Sequence, residues 1–213
     1  MAMSGVSFWG YDLGGFYNTG YIGNEERPSI EDYLSSVQMG LWMPLSRAHG
    51  KTPREPWQYG DMALKEVKKW INFRHRLVPY LYHTACQSHQ SGIPMIRPLV
   101  MEYPKDPIAK IQNLSYMLGD ALLISPGFDR DEYELYLPEG RWQDIESKEV
   151  YEGMTFVHIE NKAFADGGTS LRVFQKEGTS IPLFAQKEVL HVPAQLWKQE
   201  DLEFMTFQKK DVD

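Results

Sequence analysis

Two places in the sequence combine a strand-like approach, a polar residue and a glycine turn. Ser7-Phe8-Trp9-Gly10-Tyr11-Asp12-Leu13-Gly14-Gly15-Phe16 reads as an aromatic-rich strand ending on Asp12 and a glycine pair. Leu41-Trp42-Met43-Pro44-Leu45 reads as a short buried strand that delivers Ser46-Arg47-Ala48-His49-Gly50 to its end. In α/β barrels, ligands sit where strands run into loops at the carboxyl face. Two such strands separated by a helix fit two consecutive βα units whose ends form active-site walls. On spacing alone another reading stands beside this one: Asp12 caps a turn and His49 is a satisfied structural histidine.

Other reactive groups form no site. Asp129, Asp131 and Glu132 cluster, but they lack the central glycine and terminal glutamate of a calcium loop and read as a solvated turn. His83 and His89 have no second pair at metal-ligand spacing. Cys86 falls in a helix, where a buried structural thiol is expected. Gly-rich phosphate loops are absent. No metal or cofactor is expected.

The elements around Asp12 and His49 follow from pattern. A polar, Gly-rich stretch from Asn18 to Pro28 reads as a loop. Ser29 with Asp32 three residues on marks a helix start, and the helix runs to about Met39. A long helix begins near Asp61, with Val67, Trp70, Ile71, Leu77, Val78, Leu81 and Ala85 on one stripe. Pro79 is expected to kink or divide it, and Gly92 with Pro94 to stop it. Lys65, Lys68, Lys69, Arg74 and Arg76 read as its solvated face.

Beyond Gly92 the texture becomes β. Pro94 to Pro104 reads as a strand bounded by prolines, Ala121 to Pro126 as a buried strand, and Glu132 to Leu137 as a half-buried one turned by Pro138-Glu139-Gly140. Leu171–Phe174 and Ser180–Phe184 flank Lys176-Glu177-Gly178, a hairpin signal. The expected division is therefore the end of a barrel over 1–91, a β-sandwich over 92–185, and over 186–213 a tail or the start of a further domain.

The 213 residues carry a formal charge of −7, which argues against a nucleic-acid partner. No apolar run approaches the roughly 20 residues of a membrane span. The single cysteine excludes an internal disulfide and points to a reducing compartment, and the start lacks signal-peptide character. The chain reads as cytoplasmic.

Several segments in order carry a resemblance. Tyr11-Asp12-Leu13-Gly14-Gly15-Phe16 resembles the His-Asp-Ile-Gly-Gly-Phe motif of glycoside hydrolase family 31, with Tyr11 in place of His and Leu13 in place of Ile. Arg47-Ala48-His49-Gly50 is similar to the family's Arg-x-His-Gly, and Glu55-Pro56-Trp57 to its Glu-Pro-Trp. Arg74 to Tyr82 is similar to its Arg-x-x-Leu-x-Pro-Tyr-Leu-Tyr helix. Gly92 to Leu99, Met117 to Asp120 and Leu137 to Trp142 continue in family order. The likeness covers roughly residues 5 to 185 and is nearest to α-glucosidases and α-xylosidases.

The resemblance implies an α/β fold followed by an all-β one: the last part of a (β/α)₈ barrel, then a β-sandwich. It implies a retaining α-glycosidase, whose two carboxyls must flank the scissile bond closely enough for one to attack. In the family both aspartates lie upstream of the first motif, and no residue here matches either. What transfers is substrate binding: His49 donating to sugar hydroxyls, Asp12 shaping the pocket or accepting a hydroxyl, and Phe16 forming an apolar wall. Arg47 reads as structural, paired with a carboxylate under the rim. The implied substrate is an α-glucoside or α-xyloside oligosaccharide. An incomplete barrel exposes strand edges, which favours aggregation or a complementing N-terminal chain. Two alternatives stay open: a non-enzymatic β-sandwich or carbohydrate-binding module, and an inactive truncated gene product.

Overall fold

A computed structural model describes residues 1–16, 28–51, 54–127, 131–160, 171–185, 194 and 197–209. Residues 18–27 of the loop expected from Asn18 to Pro28, and Asp129 of the acidic cluster, lie outside them.

The first part is a β-α-β-α run: β1 Gly10–Asp12, α1 Ile30–Gly40, β2 Leu45–Arg47 and α2 Gly60–Ser91. The strands are shorter than the apolar runs that announced them, because Leu41 to Pro44 forms buried turns and strand geometry begins at Leu45. Ser29 caps α1 as expected, its Oγ accepting from Asp32 N at 3.1 Å and donating to the Asp32 carboxylate at 2.8 Å. Leu34, Val37 and Leu41 pack on Ala63 and Val67 of α2, which joins the two helices.

Pro79 does not divide α2. The helix runs unbroken for 32 residues, with Pro79, Leu77, Tyr80, Leu81 and Thr84 buried along it. Burial of that face offsets the backbone bond that proline cannot make. Gly92, at φ 75, ends the helix in the left-handed conformation. The basic stretch splits by function. Lys65, Lys68 and Lys69 are exposed, but Arg74 and Arg76 turn inward onto carbonyls, so the expectation of one solvated face holds only for the lysines.

The remainder is antiparallel β structure: β3 Ile96–Pro98, β4 Tyr116–Leu118, β5 Leu122–Pro126, β6 Glu132–Leu137, β7 Arg141–Asp144, β8 Val150–Glu152, β9 Thr155–Glu160, β10 Leu171–Lys176, β11 Thr179–Phe184 and β12 Leu202–Phe207. Six of them form one sheet in the order β3-β4-β5-β10-β7-β8, while β6 pairs with β9 and β11 with β12. The strand expected from Pro94 to Pro104 is cut short. Pro98 caps a helical turn, α3 Leu99–Glu102, and buried Arg97 holds it by donating to Pro94 O and Glu102, each at 2.9 Å.

Period-two alternation, with a packed layer on each face, explains why β5 reads as a buried strand and why β10 buries Leu171, Val173 and Phe174. Leu122, Ile124 and Val173 face Leu77, Tyr80 and Leu81 of α2, whereas Leu123 and Phe174 face Leu135, Val157 and Ile159. The sheet is thus a central layer with α2 on one side and β6–β9 on the other. β10 and β11 do not form the expected hairpin, because both edges of β10 are taken by β5 and β7. Gly178, at φ 77, turns the chain out of the sheet, and β11 pairs with β12 instead. β12 lies in the stretch 186–213 that the sequence set apart. Arg76 ties α2 to this pair, donating to Phe184 O at 3.0 Å and pairing with Glu203. Among the described residues, no helix is long and apolar enough to cross a membrane.

Candidate functional site

β1 and β2 are parallel and in register, with Tyr11 opposite Ser46 and Asp12 opposite Arg47. Arg47 Nε donates to Asp12 Oδ1 at 2.7 Å, and Leu13 N donates to Arg47 O at 2.8 Å. Beyond the strand ends the two segments stay together: Lys51 N donates to Phe16 O at 3.1 Å, and the Phe16 and His49 rings lie 5.2 Å apart, tilted by 48°. Two pairs, Asp12 with Arg47 and Phe16 with His49, therefore adjoin at the carboxyl ends of neighbouring strands. Among the described residues, Asp12 and His49 share no hydrogen bond. Arg47 does pair with a carboxylate, but its side chain is 66% exposed, so it stands on the rim rather than under it. Phe16 and His49 are also exposed, and the Asp12 side chain is 21% exposed.

The turn after Asp12 is fixed from below. Gly15 N donates to Asp12 O at 2.8 Å, and Gly14 sits at φ 79, where any side chain is strained. Ser36 Oγ, on α1, accepts from Gly14 N at 3.0 Å and lies 3.2 Å from Tyr11 Oη. Arg54 Nε donates to Gly15 O at 2.6 Å, and the Arg54 carbonyl accepts from Tyr33 Oη at 2.9 Å. Tyr33 stacks on Tyr59 at 3.8 Å, and burial, followed by Tyr59 and Glu55, pushes its hydroxyl up to about 12. Close approach explains Gly50: a Cβ there would lie 2.9 Å from the Phe16 carbonyl oxygen.

β2 is aimed from the opposite end. Arg74 of α2 donates to Leu41 O and, at 3.1 Å, to Pro44 O, which anchors the turn that feeds the strand. Burial lowers its guanidinium to about 10, and among the described residues its bonds go to neutral carbonyls. Ser36, Arg54 and Tyr33 were not singled out from sequence. Arg54, next to the Glu55-Pro56-Trp57 motif, was the one with a readable signal.

The remaining candidates stay apart from this rim. His83 and His89 lie exposed along α2, and Cys86 is half-buried rather than fully buried. A cavity of about 480 Å³ lies between α2 and the sandwich, with Trp42, Trp70, Phe73, Arg74, Asp144 and Arg172 among its walls. Asp12, Phe16 and His49 do not line it. Among the described residues, no group of three His, Cys, Asp or Glu side chains could hold a metal ion.

Comparison with known proteins matches both parts of this architecture. Residues 1–84 match the glycosyl hydrolases family 31 TIM-barrel domain, and residues 92–188 the family 31 C-terminal domain. The chain belongs to glycoside hydrolase family 31. It is 33% identical over 189 residues to neutral alpha-glucosidase AB of Mus musculus, a match covering 85% of this chain and 19% of that protein. A family 31 dextranase of Flavobacterium johnsoniae, solved with glucose, superposes at a TM-score of 0.74 with 31% identity, covering 86% of this chain and 22% of that one. The cycloalternan-forming enzyme of Listeria monocytogenes, solved with a pentasaccharide substrate, gives a TM-score of 0.81 with 29% identity, covering 97% and 20%. The chain thus spans about a fifth of the length of these relatives. The architecture agrees with that expected: part of a (β/α)₈ barrel followed by a β-domain.

Proposed function

We propose that this chain supplies one wall of the sugar pocket of a retaining α-glycosidase acting on α-glucoside or α-xyloside oligosaccharides. The observation that carries the reading is the adjoining of two pairs, Asp12 with Arg47 and Phe16 with His49, at the carboxyl ends of parallel β1 and β2. In this reading His49 donates to ring hydroxyls, the Asp12 carboxylate accepts from one, and the Phe16 ring covers an apolar C–H face. The dextranase solved with glucose and the enzyme solved with a pentasaccharide support a sugar as the ligand.

The two catalytic carboxylates that retention requires come from barrel strands outside these residues. Residues 1–91 then form the end of the barrel and 92–185 the supporting sandwich, in a cytoplasmic enzyme. β1 and β2 pair only with each other among the described residues, and Phe8, two residues before β1, and Leu45, in β2, are exposed. A complementing chain that brings the preceding strands would pair along these edges.

The test is hydrolysis. The pure chain should release no nitrophenol from p-nitrophenyl α-glucoside or α-xyloside, and turnover abolished by His49→Ala would contradict this. Mixed with a chain carrying the preceding barrel strands, hydrolysis should appear. His49→Ala should then lower kcat/KM by about 1–3 kcal/mol.

A further inference from the structure

We propose that Arg47 and Asp12 act as one donor–acceptor unit that reads two neighbouring hydroxyls of a pyranose, which makes Arg47 a specificity-determining residue. The inference rests on the sugar-pocket reading and adds a residue that the reading leaves structural.

Ordinary surface ion pairs swing freely and hold little geometry. This one is constrained at both ends. Asp12 and Arg47 are direct partners in the parallel register, and the Leu13 N to Arg47 O bond lies beside them. The backbone after Asp12 is locked by its own turn, by Ser36 and by Arg54. A fixed backbone with a single charge-assisted bond leaves the carboxylate one preferred orientation.

The contact also uses few of the available atoms. It engages Nε, which carries one N–H, and Oδ1. Among the described residues, Nη1, Nη2 and Oδ2 have no hydrogen-bond partner. They form a strong acceptor beside up to four N–H donors on a guanidinium that is 66% exposed. Adjacent hydroxyls of a sugar ring match this set, since each can donate and accept: one donates to Oδ2 while its neighbour accepts from an Nη group. The Phe16–His49 pair beside it supplies the apolar cover and a separate donor. The ligand class is a neutral pyranoside with two free vicinal hydroxyls.

Methyl α-glucoside and its monodeoxy analogues, titrated into the full chain, test the proposal. In the wild type, removal of either of two adjacent hydroxyls should weaken binding. Arg47→Ala should weaken the parent glucoside on the order of tenfold. Loss of the hydroxyl that accepts from Arg47 should then cost nothing further, while loss of its neighbour, which donates to Asp12, should still weaken binding. Arg47→Lys keeps a cation beside Asp12 but loses the planar fork, so it should keep one of the two penalties and lose the other. His49→Ala should leave both intact. Circular dichroism melts of the Arg47 variants should match the wild type, because that side chain is mostly solvated. If both Arg47 variants bind with the wild-type deoxy profile, the inference is overturned while the pocket stands. If the wild-type chain binds no glucoside, the pocket reading falls first and the inference with it.

Discussion

β1 and β2 share three paired residues, whereas β10 faces β5 through five and β7 through three. The central sheet is held by apolar alternation, with a layer on each side. Among the described residues, the rim has no such layer at the ends of its strands. Its order comes from side chains that bond to backbone, namely Ser36 to Gly14, Arg54 to Gly15 and Arg74 to Leu41 and Pro44, and from glycines that let segments touch. The difference separates two kinds of order. Apolar layers resist unfolding by burying side chains on both faces of the sheet. Polar clamps contribute less stability, yet they leave a carboxylate and an imidazole open to solvent.

The contrast predicts a ranked set of losses. Trp142 is fully buried in the sandwich core, with Nε1 donating to Pro138 O at 2.9 Å. Trp142→Ala should cost about 3–5 kcal/mol in chemical denaturation and leave glucoside affinity unchanged wherever the chain remains folded. Arg74→Met strands two carbonyls and should cost about 1–3 kcal/mol. Unlike the tryptophan change, it should also speed amide exchange at Leu45, whose N donates to Trp9 O at 3.3 Å across the rim.

Gly50→Ala drives a Cβ against the Phe16 carbonyl, a backbone atom that cannot swing away. It should cost about 1–3 kcal/mol and separate the Phe16 and His49 rings, read as lost cross-peaks between their ring protons.

The smallest effect belongs to an exposed sheet face. His158 Nδ1 lies 2.9 Å from Glu134 Oε1 and Nε2 lies 3.6 Å from Glu132 Oε2, with Glu160 nearby. The Glu134 bond first, then the surrounding carboxylates, raise its pKa above 6.5. A folded-state pKa above the unfolded one stabilises fully below about 6.5 and ceases to do so as pH rises through the raised value. The Tm difference between wild type and His158→Gln should therefore be largest at pH 6 and vanish by pH 9. A difference that grows with pH would show that the ion pairs are not the source.

These contrasts bear on what the sequence made readable. The α1 cap at Ser29, the Gly92 stop and the buried β5 were legible because each depends on a few neighbouring residues. The ordered motifs pointed to Asp12, Phe16 and His49 and to the barrel end. Long-range competition was not legible. Lys176-Glu177-Gly178 has hairpin composition, but β10 had already filled both edges, which no local pattern records. Pro79 looked like a break because the packing that offsets it comes from distant strands. Arg74 and Arg76 looked like surface charge because they turn onto carbonyls, which carry no side-chain signature, and because the Glu203 carboxylate that Arg76 also meets lies far off in sequence. Arg47 was read correctly as a carboxylate partner, but its exposure follows only from its position at the strand end.

In the proposed sugar pocket, Asp12 and His49 face one sugar. Backbone and imidazole resonances of the ¹⁵N-labelled chain, followed while methyl α-glucoside is added, test it most directly. This arrangement predicts saturable shifts that share one dissociation constant at Asp12, Gly14, Phe16, Arg47 and His49, with the sandwich resonances still. Shifts confined to the walls of the cavity between α2 and the sandwich, with Asp12 and His49 unmoved at saturation, would contradict it.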